Sequence, residues 1–269
     1  MLKLIATDMD GTLLNSKKEL PEKTFDIINR LHAKGITFAV ASGREYNSLV
    51  NIYKEIADKI VIISDNGARI TYNGKMISHD IMAQHSIDEI MHAVSQIPDL
   101  KLTICCLNST YMFEENVLSE MSNELIESYF PDRIIINDLS EIPADDQIIK
   151  FAIFDPKRNS RTNIYEKLKN LEHKYQLAVS GTEWMDIMNL GVNKGVAIQK
   201  LQEKLSATAE ETMVFGDELN DYEMMQRAYY SYAMENAVDK IKKVSNFTAP
   251  SNEDQGVIRI LENLLAMIN

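Results

Sequence analysis

The sequence predicts an α/β protein: a Rossmann-like core on a parallel sheet, with an α+β cap domain inserted into it. Three observations carry this. Short apolar runs alternate with helical stretches at both ends of the chain, the texture changes between residues 83 and 188, and several apolar runs stop abruptly at Asp, Ser or Gly. Strand and helix in alternation imply a parallel sheet covered on both faces, with right-handed crossovers.

Leu2 to Thr7 reads as the first strand. PEKTFDIINRLHAKG reads as the helix after it: Pro21 suits its first turn, Phe25, Ile28 and Leu31 recur on one face, and Gly35 suits its stop. ITFAVAS is a buried strand, REYNSLVNIYKEIA a helix and KIVIIS a third strand. Downstream, KGVAIQKLQEKL is helical, TMVFG a strand, LNDYEMMQRA helical and YYSYAM a strand, so residues 1–82 and 189–269 form the core. Within the insert, 83–188, KLTICCLNSTYMFEEN reads as a hairpin turning at Asn108 and Ser109 and VLSEMSNELIESYF as a helix. IIKFAIFD is then a strand, RTNIYEKLKNLEHKY a helix, and QLAVSGTEWMDIMN one or two strands.

Composition narrows the function. Lys plus Arg number 28 against 40 Asp plus Glu, a formal charge of −12 that repels nucleic acid and anionic membrane surfaces. A phosphorylated ligand then needs a metal ion or a few placed cations. The only cysteines, Cys105 and Cys106, point to opposite faces of one strand and read as core packing. The first apolar stretch breaks at Asp8, too early for a signal peptide, and no window approaches the ~18 apolar residues of a membrane span. The expected setting is a reducing cytoplasm; nothing in the sequence sets an oligomeric state.

Ligands of open α/β sheets sit at the carboxyl ends of the strands. Four of those ends carry Asp8-Met9-Asp10-Gly11-Thr12, Ser42-Gly43-Arg44, Ser64-Asp65-Asn66-Gly67 and Gly216-Asp217-Glu218-Leu219-Asn220-Asp221, and Asn193-Lys194-Gly195 opens the helix that resumes the core. Each has an ordinary reading as turn or cap chemistry. Together, the carboxylates of Asp8, Asp10 and Asp217 make a hard oxygen set of the kind Mg2+ takes, with Asp221 beside them. Ser42, the backbone N–H groups after it and Lys194 offer an anion site.

At these residues the chain resembles the haloacid dehalogenase superfamily of phosphatases, in its Cof-type branch with a C2-type cap. DMDGT resembles the first motif of that family, VASGR its serine motif, NKG its lysine motif and GDELND its acidic motif, in the family's order. The resemblance implies Asp8 as nucleophile, Asp10 as general acid and base, Ser42 and Lys194 as phosphate holders, and Asp217 as a magnesium ligand with Asp221 supporting it. Asn220, and with it Thr12 and Gly43 of the same motifs, would meet the substrate.

The expected chemistry is magnesium-dependent hydrolysis of small phosphorylated metabolites through an aspartyl-phosphate. Asp10, counted among the metal-binding residues, also needs a proton to give to the leaving oxygen, so its pKa is expected to be raised, as it can be if its side chain points away from the metal. Rival readings are a phosphomutase on the same scaffold, a catalytically silent sugar-phosphate-binding regulator and a signalling receiver; the ~100-residue insert disfavours the last. Arg44 suits either phosphate steering or an ion pair, and Trp184 either the substrate or the packing between cap and core.

Overall fold

The structure, a computed structural model, describes residues 1–114 and 129–268. The helix expected over VLSEMSNELIESYF lies almost wholly outside these residues.

Eight strands form the core sheet: β1 (Leu4–Thr7), β2 (Thr37–Ala41), β3 (Val61–Ser64), β4 (Arg69–Tyr72), β5 (Lys75–His79), and, from the far end of the chain, β12 (Thr212–Gly216), β13 (Tyr230–Met234) and β14 (Phe247–Ala249). Their order is β14-β13-β12-β1-β2-β3-β4-β5. From β14 to β3 all neighbours are parallel, and β1, β2, β3 and β12 are buried along their whole length. That is why they read as unbroken apolar runs. The sheet is not purely parallel, because β4 and β5 add an antiparallel hairpin at one edge. Ile27, Ile28 and Leu31 pack helix Thr24–Ala33 onto the core, and each such side chain contributes roughly 1.5–3 kcal/mol.

The chain runs outward from β1 through β2 and β3 on one side and returns through β12, β13 and β14 on the other. The order reverses between β1 and β12, where Thr7 pairs with Phe215. A crevice opens at such a reversal, outside the carboxyl ends of the strands. The residues that leave those two ends are Asp8 and Asp217.

The insert holds a six-stranded sheet in the order β10-β11-β9-β6-β7-β8, made of β6 (Lys101–Cys106), β7 (Thr110–Phe113), β8 (Ile134–Ile136), β9 (Ile148–Phe154), β10 (Tyr175–Ser180) and β11 (Trp184–Asn189). β6 and β7 are the expected hairpin, and the last stretch resolves into two antiparallel strands. The helix expected over residues 161–175 is instead a mix of π, α and 3-10 turns over 161–171, and Tyr175 already opens β10. Alternation along the strands separates two apolar clusters. Leu102, Ile104, Cys106, Phe151 and Ile153 face one way, and Cys105, Ala152, Phe154, Trp184 and Met188 the other, packed with Ala68 and Val192 of the core side. Lys150 and Asp186 have the parity of that second face.

Candidate active site

Asp8 continues β1 by one residue, its N–H donating to the Phe215 carbonyl at 3.0 Å. Lys194, wholly buried at the start of helix Lys194–Leu205, donates to Asp8 Oδ1 at 2.5 Å and to Asp221 Oδ1 at 2.6 Å. Local sequence places that lysine. Asn193 caps the helix by accepting from the Val196 N–H at 2.9 Å. Gly195 lets the helix lie against helix Tyr222–Met225, since a Cβ there would stand 2.5 Å from the Glu223 carbonyl carbon. The other oxygen of Asp221 accepts from the N–H groups of Asp217 (2.9 Å) and Glu218 (3.2 Å), tying the acidic loop to the same centre.

Asp217 approaches from β12. Thr12 donates to its Oδ1 at 2.6 Å, and Gly11, at φ 83°, leaves room that a Cβ would take from the Asp217 carboxylate. Thr12 is buried and does not line the cavity described below, so in this structure it positions Asp217 rather than facing a ligand. Carboxylate oxygens of Asp8, Asp217 and Asp221 lie within 4.8 Å of one another. Burial pushes Asp8 up to about 7, against the opposing charge of Lys194, and burial with Asp8 and Asp221 nearby pushes Asp217 to about 8. Burial disfavours the charge on Lys194, but Asp221 and Asp8 outweigh it and raise its pKa. Three acids share one ammonium, and their hard oxygens suit a divalent cation that would relieve the repulsion. Asp221 already holds Lys194 and the loop backbone, so of these three acids Asp8 and Asp217 face the cavity.

Asp10 does not join that group, contrary to its expected place among the metal-binding side chains. Its Oδ2 accepts from Arg44 Nε at 2.8 Å, and its Oδ1 from Arg44 Nη2 at 2.8 Å and Lys18 Nζ at 2.7 Å. The expected raised pKa is reversed as well. Burial favours the neutral acid, yet the Arg44 hydrogen bonds and charge, joined by Lys18, hold the carboxyl well below the usual range. Arg44 therefore pairs with a loop acid, and Lys18, which the motifs did not single out, is its second partner.

These groups line a cavity of about 260 Å³ between the two sheets. The core contributes Asp8, Asp10, Asp217, Ser42, Gly43 and Asn220; the insert contributes Lys150, Glu183, Trp184 and Asp186 among others. Ser42 Oγ accepts from the Arg44 N–H at 3.1 Å. Lys150, 1 % exposed, crosses from the insert to donate to the Gly43 carbonyl at 2.6 Å and lies 3.0 Å from Asp65 and 3.8 Å from Asp186. Asp186 accepts from Asn66 Nδ2 at 2.6 Å, and Asn66 Oδ1 accepts from Asn220 at 3.0 Å. Asp65 and Asn66 both sit in the left-handed region, φ 53° and 54°, which turns their N–H groups to the carbonyls of Arg44 and Ser42. Lys150 and Asp186 were not anticipated, although a charge inside IIKFAIFD and another inside WMDIMN are visible breaks in apolar strands.

A capped α/β enzyme with a buried centre of acids and lysine at its topological switch point is thereby defined. A family model described as haloacid dehalogenase-like hydrolase matches residues 5–261, and the chain belongs to that family. Its enzyme class is that of the phosphatases its relatives are named for. The 5-amino-6-(5-phospho-D-ribitylamino)uracil phosphatase YbjI of Escherichia coli K12 is 27% identical over 98% of this chain and 96% of its own. The HMP-PP phosphatase of Cronobacter sakazakii is 29% identical over 90% of this chain and 87% of its own. Among solved structures, SMU.1108c from Streptococcus mutans UA159 superposes with a TM-score of 0.90 at 29% identity, covering 99% of this chain and all of that one.

Proposed function

We propose that the chain is a magnesium-dependent phosphatase that hydrolyses phosphate monoesters of small metabolites through an aspartyl-phosphate on Asp8. The observation that supports it most is Lys194, buried between Asp8 and Asp221 while Asp217 closes the group of acids. The names of the two relatives given above, a 5-amino-6-(5-phospho-D-ribitylamino)uracil phosphatase and an HMP-PP phosphatase, point the same way. Asp8 and Asp217 would hold magnesium, which supplies the positive charge that lets a phosphate dianion share the cavity with two carboxylates.

Lys194 fixes the Asp8 carboxylate, whose free oxygen bonds to phosphorus as the ester oxygen departs. Ser42, the backbone after it and Asn220 hold the other phosphoryl oxygens. Asp10 begins ionised. An arriving dianion competes with it for Arg44 and Lys18, and as those cations turn toward the phosphate the buried Asp10 takes up the proton that the leaving oxygen needs. Asp10, ionised again, then removes a proton from the water that cleaves the acyl phosphate and restores Asp8, and releases that proton to solvent as phosphate leaves and Arg44 and Lys18 return to it. Both cysteines are buried free thiols, in keeping with a cytoplasmic setting.

Acetyl phosphate, which demands little of a specificity pocket, tests the reading. Phosphate release should require Mg2+, stop with EDTA and return when Mg2+ is restored in excess. Release that ignores EDTA, or none from acetyl phosphate or any ester in a metabolite panel, would overturn it.

A further inference from the structure

The phosphoryl end of the cavity is polar, but another part of its wall is aromatic. Trp184 has its ring centroid 4.9 Å from Phe154, 5.6 Å from Phe130 and 5.7 Å from Tyr129, and Trp184, Phe130 and Tyr129 line the same cavity as Asp8 and Asp10. Arg44, which grips Asp10, lies over the Tyr129 ring at 4.7 Å. The wall therefore adjoins the acid that would serve the leaving group. Two further features bear on what fits there. The Ser180 hydroxyl is buried at this cavity with no hydrogen-bond partner among the described residues, and Glu218 and the Glu183 that pairs with Arg158 at 2.9 Å line it too.

We propose that the wall is a ring-binding subsite, so that the substrate is a phosphate ester whose alcohol part carries one planar ring, with a polar edge group for Ser180. This rests on the phosphatase reading. Offset and edge-on aromatic contacts add to simple burial by roughly 3- to 10-fold in affinity. A bare polyol would leave its hydroxyls unpaired against three rings.

The test compares benzyl phosphate with cyclohexylmethyl phosphate, esters of primary alcohols similar in size and leaving ability, only one of them flat. The wild type should favour the benzyl ester by roughly 3- to 10-fold in kcat/KM. That ratio should fall to about 1 in Trp184→Leu and return in Trp184→Phe; as a ratio within each variant, it is independent of the amount of folded enzyme. In parallel, the wild type is titrated with benzylphosphonate and cyclohexylmethylphosphonate, following the fluorescence of Trp184, the single tryptophan of the chain. A wild-type ratio near 1, or one unchanged in Trp184→Leu, would overturn the subsite. Tighter binding of benzylphosphonate without hydrolysis of acetyl phosphate would support the subsite and end the phosphatase reading instead.

Discussion

Lys194 and Lys150 are both buried lysines set between two carboxylates, and the difference between their regions separates chemistry from architecture. At Lys150 the neighbours are met by other protein groups: Asp186 takes a hydrogen bond from Asn66, and Lys150 itself reaches the Gly43 carbonyl. Burial, opposed by Lys150, raises Asp186 to about 6, and Asp65 and Asp186 in turn raise the pKa of Lys150 despite burial. This network joins the insert to the loop that carries Ser42. At Lys194 a third acid, Asp217, adds charge without adding a cation, and Asp8 and Asp217 reach the cavity that Lys150 and Asp186 also line. The Lys150 network ties two parts of the fold together; the group at Lys194, with three acids to one ammonium, is the one ready for a cation.

The comparison breaks most visibly at Asp8. Asp8→Asn keeps the shape and removes the nucleophile, so kcat with acetyl phosphate should fall by more than about 10³-fold while circular dichroism shows a folded protein. A fall of less than tenfold would mean that the acids around Lys194 are architecture too. Asp10→Asn should cost about 10²- to 10⁴-fold in kcat, the range of a positioned acid and base.

Stability measurements sharpen the contrast. Lys150→Met strands Asp65 and Asp186 without their ammonium and should cost about 3–5 kcal/mol in urea denaturation. Adding Asp186→Asn should recover part of this, because that carboxyl is already pushed toward its neutral form. Lys194→Met should lose turnover that Asp221→Asn does not restore. If neutralising a partner rescued both lysine variants equally, the two regions would not differ in kind.

The smallest expected effect is a pH dependence. Asp8 and Asp217 are raised to about 7 and about 8, so the metal-free fold keeps protons that the unfolded chain releases above about pH 4. That stabilisation is present in acid and is lost as pH rises through 7 and 8. Mg2+ competes for the same oxygens, so the increase in Tm it brings should grow from about pH 6 to about pH 8.5 and disappear in Asp217→Asn. A Mg2+ effect that is flat with pH would place the cation elsewhere.

Much of the core was legible because parallel strands buried on both faces, such as TFAVA and VIIS, leave a continuous apolar signature. β4 and β5 were not read: RITY and KMISH mix polar and apolar residues at a half-exposed edge, and a hairpin there leaves a weaker pattern. The site was legible where short motifs end strands, which is how Asp8, Ser42, Lys194 and Asp217 were singled out. Contacts that span the chain were not. Asp10 sits near Arg44 and Lys18 only after folding, so its charge state was inferred with the wrong sign. Likewise, only the register of β9 against β11 sets Lys150 and Asp186 on one face.

The most direct measurement is to quench the wild type within its first turnover of [32P]acetyl phosphate with Mg2+ and map the label by peptide digestion. A covalent phosphate on Asp8, absent from Asp8→Asn, is the predicted result. Label on any other residue, or product formed with no covalent intermediate at any quench time, would contradict it.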